Sequence, residues 1–309
     1  MPLIDSKGML IYAMENKFAV GAFNANNLET AQAIIEAAEE ENAPVIVQIS
    51  QGAIDYAGED CFFAIVKTLA QKASVPVVCH LDHGVDFGTV IRALRAGFTS
   101  LMFDGSSLPF EENVKITKML VEIAHASGVP LEAEIGKVPD AAKGPLSPEE
   151  VKKYLTTPEE AQEFCEKTGV DSLAVAVGSA HRMKVQSVRL DIERIANIRE
   201  RVGVPLVLHG ASGVMDESVI EAIKAGISKI NFATELNKAF TNAIKEKLQA
   251  EPELVDVRKY GAYARERVKK VVKEKIKLLN STGKAEEIMD FINKNRYFEK
   301  KSDTSKIVE

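Results

Sequence analysis

Eight short apolar, β-branched segments alternate with stretches of helical spacing along the chain, and this alternation restricts the possible folds more than any other feature. The segments run approximately Ala19–Phe23, Val45–Ile49, Val77–His80, Ser100–Phe103, Leu131–Ile135, Ser172–Val177, Leu206–His209 and Lys229–Phe232. Runs this apolar read as strands covered on both faces. Between them, Leu28, Ala31, Ile34, Ile35 and Ala38, then Phe62, Val66, Leu69 and Ala73, repeat at the spacing of a helix face. Strands that alternate with helices pair in parallel. Thr157-Pro158-Glu159-Glu160 and Ser147-Pro148-Glu149-Glu150 each combine a capping box with proline at the first helical position. Gly-Val-Pro, at Gly128 and again at Gly203, closes a helix and opens the next strand.

Eight βα units predict an α/β fold, a (β/α)8 TIM barrel, over an open doubly wound sheet, which more often has five or six strands. No Gly-x-Gly-x-x-Gly follows the first strand, which also disfavours a dinucleotide fold. The 309 residues fit one barrel of roughly 250 residues with additions. Residues 1–285 are expected to form that domain, with C-terminal helices at Lys238–Leu248 and Arg265–Leu279 and Lys259-Tyr260-Gly261 between them. Residues 286–309 read as a polar C-terminal extension that frays from Lys300.

Composition excludes several classes. With 46% apolar and 27% charged residues the chain can bury a large core. Its net charge of −6, from 39 basic and 45 acidic residues well mixed along the sequence, argues against a nucleic acid or an anionic membrane as partner. No apolar run reaches the roughly 20 residues that a bilayer requires, and the N-terminus lacks a basic stretch followed by an apolar core, so a cytoplasmic protein is expected. Cys61, Cys79 and Cys165 form no Cys-x-x-Cys and read as buried thiols.

The polar residues gather at strand C-termini: Asn24, Ser50, His80 to His83, Asp104, Glu132 and Glu134, His181, His209, then Asn231 and Thr234. In a barrel these ends converge on one rim, where such folds place their active sites. Of the histidines, only His125 falls elsewhere, on a helix. Histidines from the third, sixth and seventh strands suit a catalytic divalent metal with a position left open for substrate, zinc ahead of iron, cobalt or nickel. Asp104 and Glu134 are placed to orient those histidines or to hold a second divalent or a monovalent cation. Gly210-Ala211-Ser212-Gly213 and Asn231-Phe232-Ala233-Thr234 leave free backbone N–H groups after the seventh and eighth strands, the usual phosphate site of these barrels, so a phosphorylated substrate is expected.

Val-Gly-Ala-Phe-Asn at 20–24, Cys-His-Leu-Asp-His-Gly at 79–84, Leu-Glu-Ala-Glu-Ile-Gly at 131–136, Leu-Ala-Val-Ala-Val-Gly-Ser-Ala-His at 173–181, Leu-His-Gly-Ala-Ser-Gly at 208–213 and Lys-Ile-Asn-Phe-Ala-Thr at 229–234 occur in that order. Over about residues 1–283 the chain resembles the class II, metal-dependent ketose-bisphosphate aldolases. The resemblance implies reversible aldol cleavage of fructose or tagatose 1,6-bisphosphate to dihydroxyacetone phosphate and glyceraldehyde 3-phosphate. It implies zinc on His83, His181 and His209, and Asp82 as the group that exchanges the substrate hydroxyl proton. It places dihydroxyacetone phosphate at Gly210, Ala211 and Ser212 and at Asn231, Phe232, Ala233 and Thr234, with Asn24 and Ser50 elsewhere in the pocket, and it implies a homodimer or homotetramer. In such an enzyme the metal withdraws charge from the enediolate as a Lewis acid, so no Schiff-base lysine is needed.

The chain departs from that family pattern in places. Ala142 and Lys143 stand where the loop after Gly136 usually carries a pair of acids, which leaves Asp140, Glu149 and Glu150 as candidates to replace them. The long Lys137–Thr157 connection is expected to act as a lid. Arg182 and Lys184 replace a usual glycine and tyrosine, and Ala233 is more typical of tagatose-specific relatives. A diverged barrel that binds metal and phosphate without cleaving substrate is the alternative reading.

Overall fold

A computed structural model describes residues 3–139, 153–181 and 187–305, with side chains described as far as residue 295. Its strands are β1 (Val20–Asn24), β2 (Val45–Ser50), β3 (Val77–Asp82), β4 (Leu101–Phe103), β5 (Leu131–Ile135), β6 (Ser172–Val175), β7 (Leu206–Leu208) and β8 (Ile227–Phe232). The helices are α1 (Lys7–Glu15), α2 (Leu28–Glu40), α3 (Gln51–Ala57), α4 (Glu59–Ala70), α5 (Phe87–Ala96), α6 (Phe110–Ala126), α7 (Pro158–Thr168), α8 (Ile192–Arg201), α9 (Asp216–Ala225), α10 (Thr234–Ala250), α11 (Val257–Leu278) and α12 (Ala285–Ser305).

All the strands pair in parallel in one sheet of order β3-β2-β1-β8-β7-β6-β5-β4. Its two edges meet through bridges pairing His80 with Ser100 and Gly84 with Phe103. Leu81 N–H donates to Ser100 O at 3.0 Å and Asp104 N–H to Gly84 O at 2.9 Å. The expected (β/α)8 barrel therefore forms, closed between β3 and β4 by a short seam.

Period-two alternation sorts the strand side chains. Val45, Val47, Ile49, Cys79 and Leu81 face outward into the main core beneath the helices. Val20, Ala22, Ile46 and Val78 face inward and form a second cluster with Met9, Leu10 and Ala13 of α1 and with Ile288 and Ile292 of α12. Helix α1 thus plugs the end of the barrel where the strands begin, and Ile4 N–H bonds Val77 O there at 2.9 Å. The stretch from 286, polar in overall composition, is helical as far as Ser305, and the Tyr12 hydroxyl donates to Glu287 at 2.8 Å.

Several boundaries differ from the sequence reading. β1, β2 and β3 run on to Asn24, Ser50 and Asp82 because the backbone ladder continues through these polar residues: Asn24 pairs with Gln48, Gln48 with His80 and Ser50 with Asp82. Lys259-Tyr260-Gly261 was expected between two helices but lies inside α11, which starts at the Asp256 cap where its side chain accepts from Arg258 N–H. Thr157 and Glu160 form the expected reciprocal capping box at the start of α7. Of the cysteines only Cys79 is buried, whereas Cys165 is half-buried and Cys61 exposed. Cys61 sits in the first turn of α4, on its solvent side.

Met9 is fully buried in the plug, and replacement by alanine leaves a cavity that the closed strand ends cannot collapse into. Met9→Ala is expected to lower unfolding stability by roughly 2–5 kcal/mol in urea denaturation.

Candidate active site

At the C-terminal rim the end of β3 sets the geometry. His80 and Asp82 point into the barrel, and the chain then leaves the sheet through His83, whose φ of 51° is rarely adopted by a residue with a side chain. Gly84 follows against β4, where an added Cβ would lie 2.6 Å from Met102 O. His83 is held by Asp104, its Nδ1 2.8 Å from Asp104 Oδ2. Asp104 is itself fixed by the amide and hydroxyl of Ser106, at 3.1 and 2.6 Å.

His181 follows β6, with its N–H bonded to Pro139 O at 2.8 Å. His209 follows β7, and the chain turns at once through Gly210, whose φ is +67° and where a Cβ would come 2.8 Å from the carbonyl carbon of Ala180. A larger residue there would push the two histidine segments apart.

Three imidazoles converge from these elements. The ring of His83 lies 4.6 Å from that of His209 and 5.3 Å from that of His181, centroid to centroid. Each offers a nitrogen within 4.8 Å of the others, and His83, Asp104 and Glu134 form an overlapping donor set on the same criterion. Two of the rings have their second nitrogen occupied: His83 Nδ1 by Asp104, and His209 Nε2 by Glu132 Oε1 at 3.0 Å. His209 Nδ1 and Glu134 Oε2 are buried and 3.0 Å apart, yet neither makes a hydrogen bond. Buried polar atoms left unbonded need a partner. A donor set of imidazole nitrogens and a carboxylate suits a divalent cation.

Electrostatics are strongly coupled here. Burial alone would lower the His83 imidazole, but Asp82, Asp104 and Glu134 override it and push it up to about 10. Burial and the neighbouring His83 and His209 push His181 down to about 4. For Asp82, burial acts upward, but His83, His209, the Asn24 bond and Lys229 together hold its carboxyl below the usual range, so it is an anion at neutral pH. Asp82 Oδ2 accepts from Asn24 Nδ2 at 2.7 Å, Asn24 Oδ1 accepts from Gln48 Nε2 at 2.6 Å, and Asn231 Nδ2 reaches Asp82 Oδ1 at 3.3 Å.

A cleft of about 90 Å³ opens here, lined by Asp82, His83, His181, Ser212, Ala233 and Thr234 among others. Ala211–Gly213 forms a 3-10 turn and α10 begins at Thr234, both without a side-chain cap. Asn24, Asn231, Gly210 and Ser212 also border the cleft. Ser50 instead lines a neighbouring cavity of about 500 Å³ with Asn26, Tyr56 and Asn237. The Phe232 ring is buried in the main core, where it stacks on Phe23 with centroids 5.5 Å apart, and Phe232 does not line the cleft.

His80 is not at the open rim, where the sequence placed it. It is buried in the barrel interior, its Nδ1 2.8 Å from Ser100 Oγ and its Nε2 3.2 Å from Lys229 Nζ. Burial first, then the Lys229 charge, push it down to about 3, so it is neutral. His125 lies on α6 and bonds Asp171 at 2.7 Å. Sequence reasoning missed Gln48 and Lys229, although the period-two pattern of β2 and β8 carried the signal: each is a polar residue at an inward position. Asp140, Ala142, Lys143, Ser147, Glu149, Glu150, Arg182 and Lys184 lie outside the described residues.

Residues 4–284 match the family described as "Fructose-bisphosphate aldolase class-II". The chain is 44% identical over 306 residues to a fructose-bisphosphate aldolase of Thermus caldophilus, covering 92% of this chain and 100% of that protein. It is 43% identical over 290 residues to a fructose-bisphosphate aldolase of Staphylococcus aureus, again covering 92% of this chain and 100% of the relative. Among solved structures, the YdjI aldolase from Escherichia coli K12 superposes with a TM-score of 0.80 at 38% identity, covering 92% of this chain and 99% of that one. The match runs through every strand that carries a rim residue, and the chain belongs to the class II fructose-bisphosphate aldolase family.

Proposed function

We propose that this chain reversibly cleaves fructose 1,6-bisphosphate to dihydroxyacetone phosphate and glyceraldehyde 3-phosphate, using a divalent metal, zinc first, held by His83, His181 and His209. The observation that carries this reading is the convergence of three imidazole nitrogens beside an ionised, hydrogen-bonded Asp82. The cation would supply Lewis acidity, drawing off the negative charge left on the ketose fragment when its carbon–carbon bond breaks.

The chain's own groups supply the rest. When the C3–C4 bond breaks, the C4 hydroxyl becomes an aldehyde and its proton needs an acceptor. Asp82 is an anion facing the cleft, oriented by Asn24 and Asn231, so it takes that proton in cleavage and returns it in condensation. The uncapped amides at Ala211–Gly213 and at the start of α10 are placed to hold a phosphate. Asp104 and Glu134 orient His83 or hold a second cation.

Tagatose 1,6-bisphosphate, the C4 epimer, is the second substrate to assay because Ala233 lines the cleft. A cytoplasmic location and a homodimer or homotetramer complete this reading. The exposed Val255 and Val257, at the entrance to α11, offer apolar surface to a second copy, and a monomeric mass in solution scattering would remove that part. Among the described residues no helix is long and apolar enough to cross a membrane.

A coupled assay with both bisphosphates, with and without a chelator, should show turnover that chelation abolishes and zinc restores. Chelator-resistant turnover, or none with zinc present, overturns the reading. His83→Ala, His181→Ala and His209→Ala are each expected to lose zinc and activity together, read by metal analysis and the same assay. Asp82→Asn should retain zinc and lower turnover roughly 10²-fold or more; an unchanged rate reduces Asp82 to a scaffold.

The raised His83 makes a further prediction. At pH 7 its ring carries a proton that it must lose before a nitrogen can ligate, since its folded value lies near 10. Metal uptake should therefore release about one proton from His83, and apparent affinity should tighten by up to about tenfold per pH unit between 7 and 10. Calorimetry in buffers of differing ionisation enthalpy measures this, and uptake without proton release contradicts it.

A further inference from the structure

We infer that Lys229 is a positioning residue for the metal centre, acting through Glu132 on His209; this rests on the reading of His209 as a metal ligand. Lys229 lies on β8 with 1% of its surface exposed. Its ammonium donates to both oxygens of Glu132, at 2.8 and 3.1 Å, and to His80 Nε2 at 3.2 Å. Glu132 Oε1, in turn, accepts from His209 Nε2 at 3.0 Å. This leaves His209 Nδ1 as the free nitrogen, buried and without a hydrogen bond beside Glu134.

Hydrogen-bond direction along this chain follows from the donor alone. An ammonium only donates, so His80 Nε2 accepts and its Nδ1–H donates to Ser100 Oγ, which shares a hydroxyl–hydroxyl bond of 2.8 Å with Ser6 Oγ. Ser6 sits at the start of the plug helix, so one buried chain runs from the closed end of the barrel to the rim. Lys229 is held at one side by a fixed acceptor and at the other grips a carboxylate by both oxygens.

Stability alone does not call for a cation there. A buried ion pair is commonly replaced by apolar residues of similar size without loss, and the layer below, with Val20, Ile46 and Val78, is apolar. The pair does what an apolar residue cannot, which is to fix the carboxylate that turns the His209 ring. Partners of this kind are worth about 10–100-fold in metal affinity.

The test is a cycle of Lys229→Met and Glu132→Gln, read by zinc dissociation constants from chelator competition and not by turnover. Lys229→Met should weaken zinc binding roughly 10–100-fold, while the same change in the Glu132→Gln background should alter it less than about twofold. Equal losses in both backgrounds, or wild-type affinity in Lys229→Met, would overturn the inference. Should Lys229→Met fail to fold because Glu132 is left unpaired, the double variant carries no buried charge at either position. Its comparison with Glu132→Gln still decides: affinity within twofold supports the inference, and a loss of tenfold or more rejects it. Zinc binding by the wild-type protein separates the two questions, because absence of a single tight site there rejects the metal reading itself.

Discussion

Closing parallel strands into a barrel sends every second side chain into a space without solvent, and polar residues in that space must satisfy one another. The interior is graded accordingly. Where the strands begin, Val20, Ile46 and Val78 are capped by α1 and need no partners. One layer up, His80, Glu132 and Lys229 form one bonded set through the Lys229 ammonium, joined onward to Ser100 and His209. At the rim, Asn24, Asp82 and Asn231 do the same while leaving Asn231 Oδ1 free. The site is the last of these layers, the one that opens on the cleft.

That grading explains the electrostatic character of the rim. Four carboxylates, Asp82, Asp104, Glu132 and Glu134, surround His83 and His209 in a buried setting, so the imidazoles are drawn toward protonation when no other cation is present. His181, farther from the carboxylates and facing two cationic rings, goes the other way. In the proposed reading a bound metal would answer the same negative charge as the protonated imidazoles, so its uptake would be coupled to proton loss.

The backbone bears a cost for this arrangement at two points. His83 takes a left-handed conformation so that its ring can turn back between Asp104 and the other histidines. Gly210 lets the chain after His209 pass against Ala180. Both lie where a strand gives way to a loop, outside the ladder that would otherwise dictate φ, and there a side-chain contact can set the backbone.

Much of this was legible in the sequence. The eight apolar segments determined the strands and, through their helical intervals, parallel pairing, because covered strands and amphipathic helices have few other ways to share a core. The order of strand-end residues determined which groups would meet, including Asp82, His83, His181 and His209. Tertiary structure decided what depends on distance across the barrel. It moved His80 from the rim to the interior, where Lys229 reaches it from 149 positions away, and turned Phe232 outward while Asn231 faces in. It carried Lys259-Tyr260-Gly261 into a helix packed on α2. For the strand residues the reason is that alternation fixes only that neighbours face opposite sides, while which side is inside, and which distant group waits there, is set when the sheet closes; for the helix it is packing against α2, a partner distant in sequence.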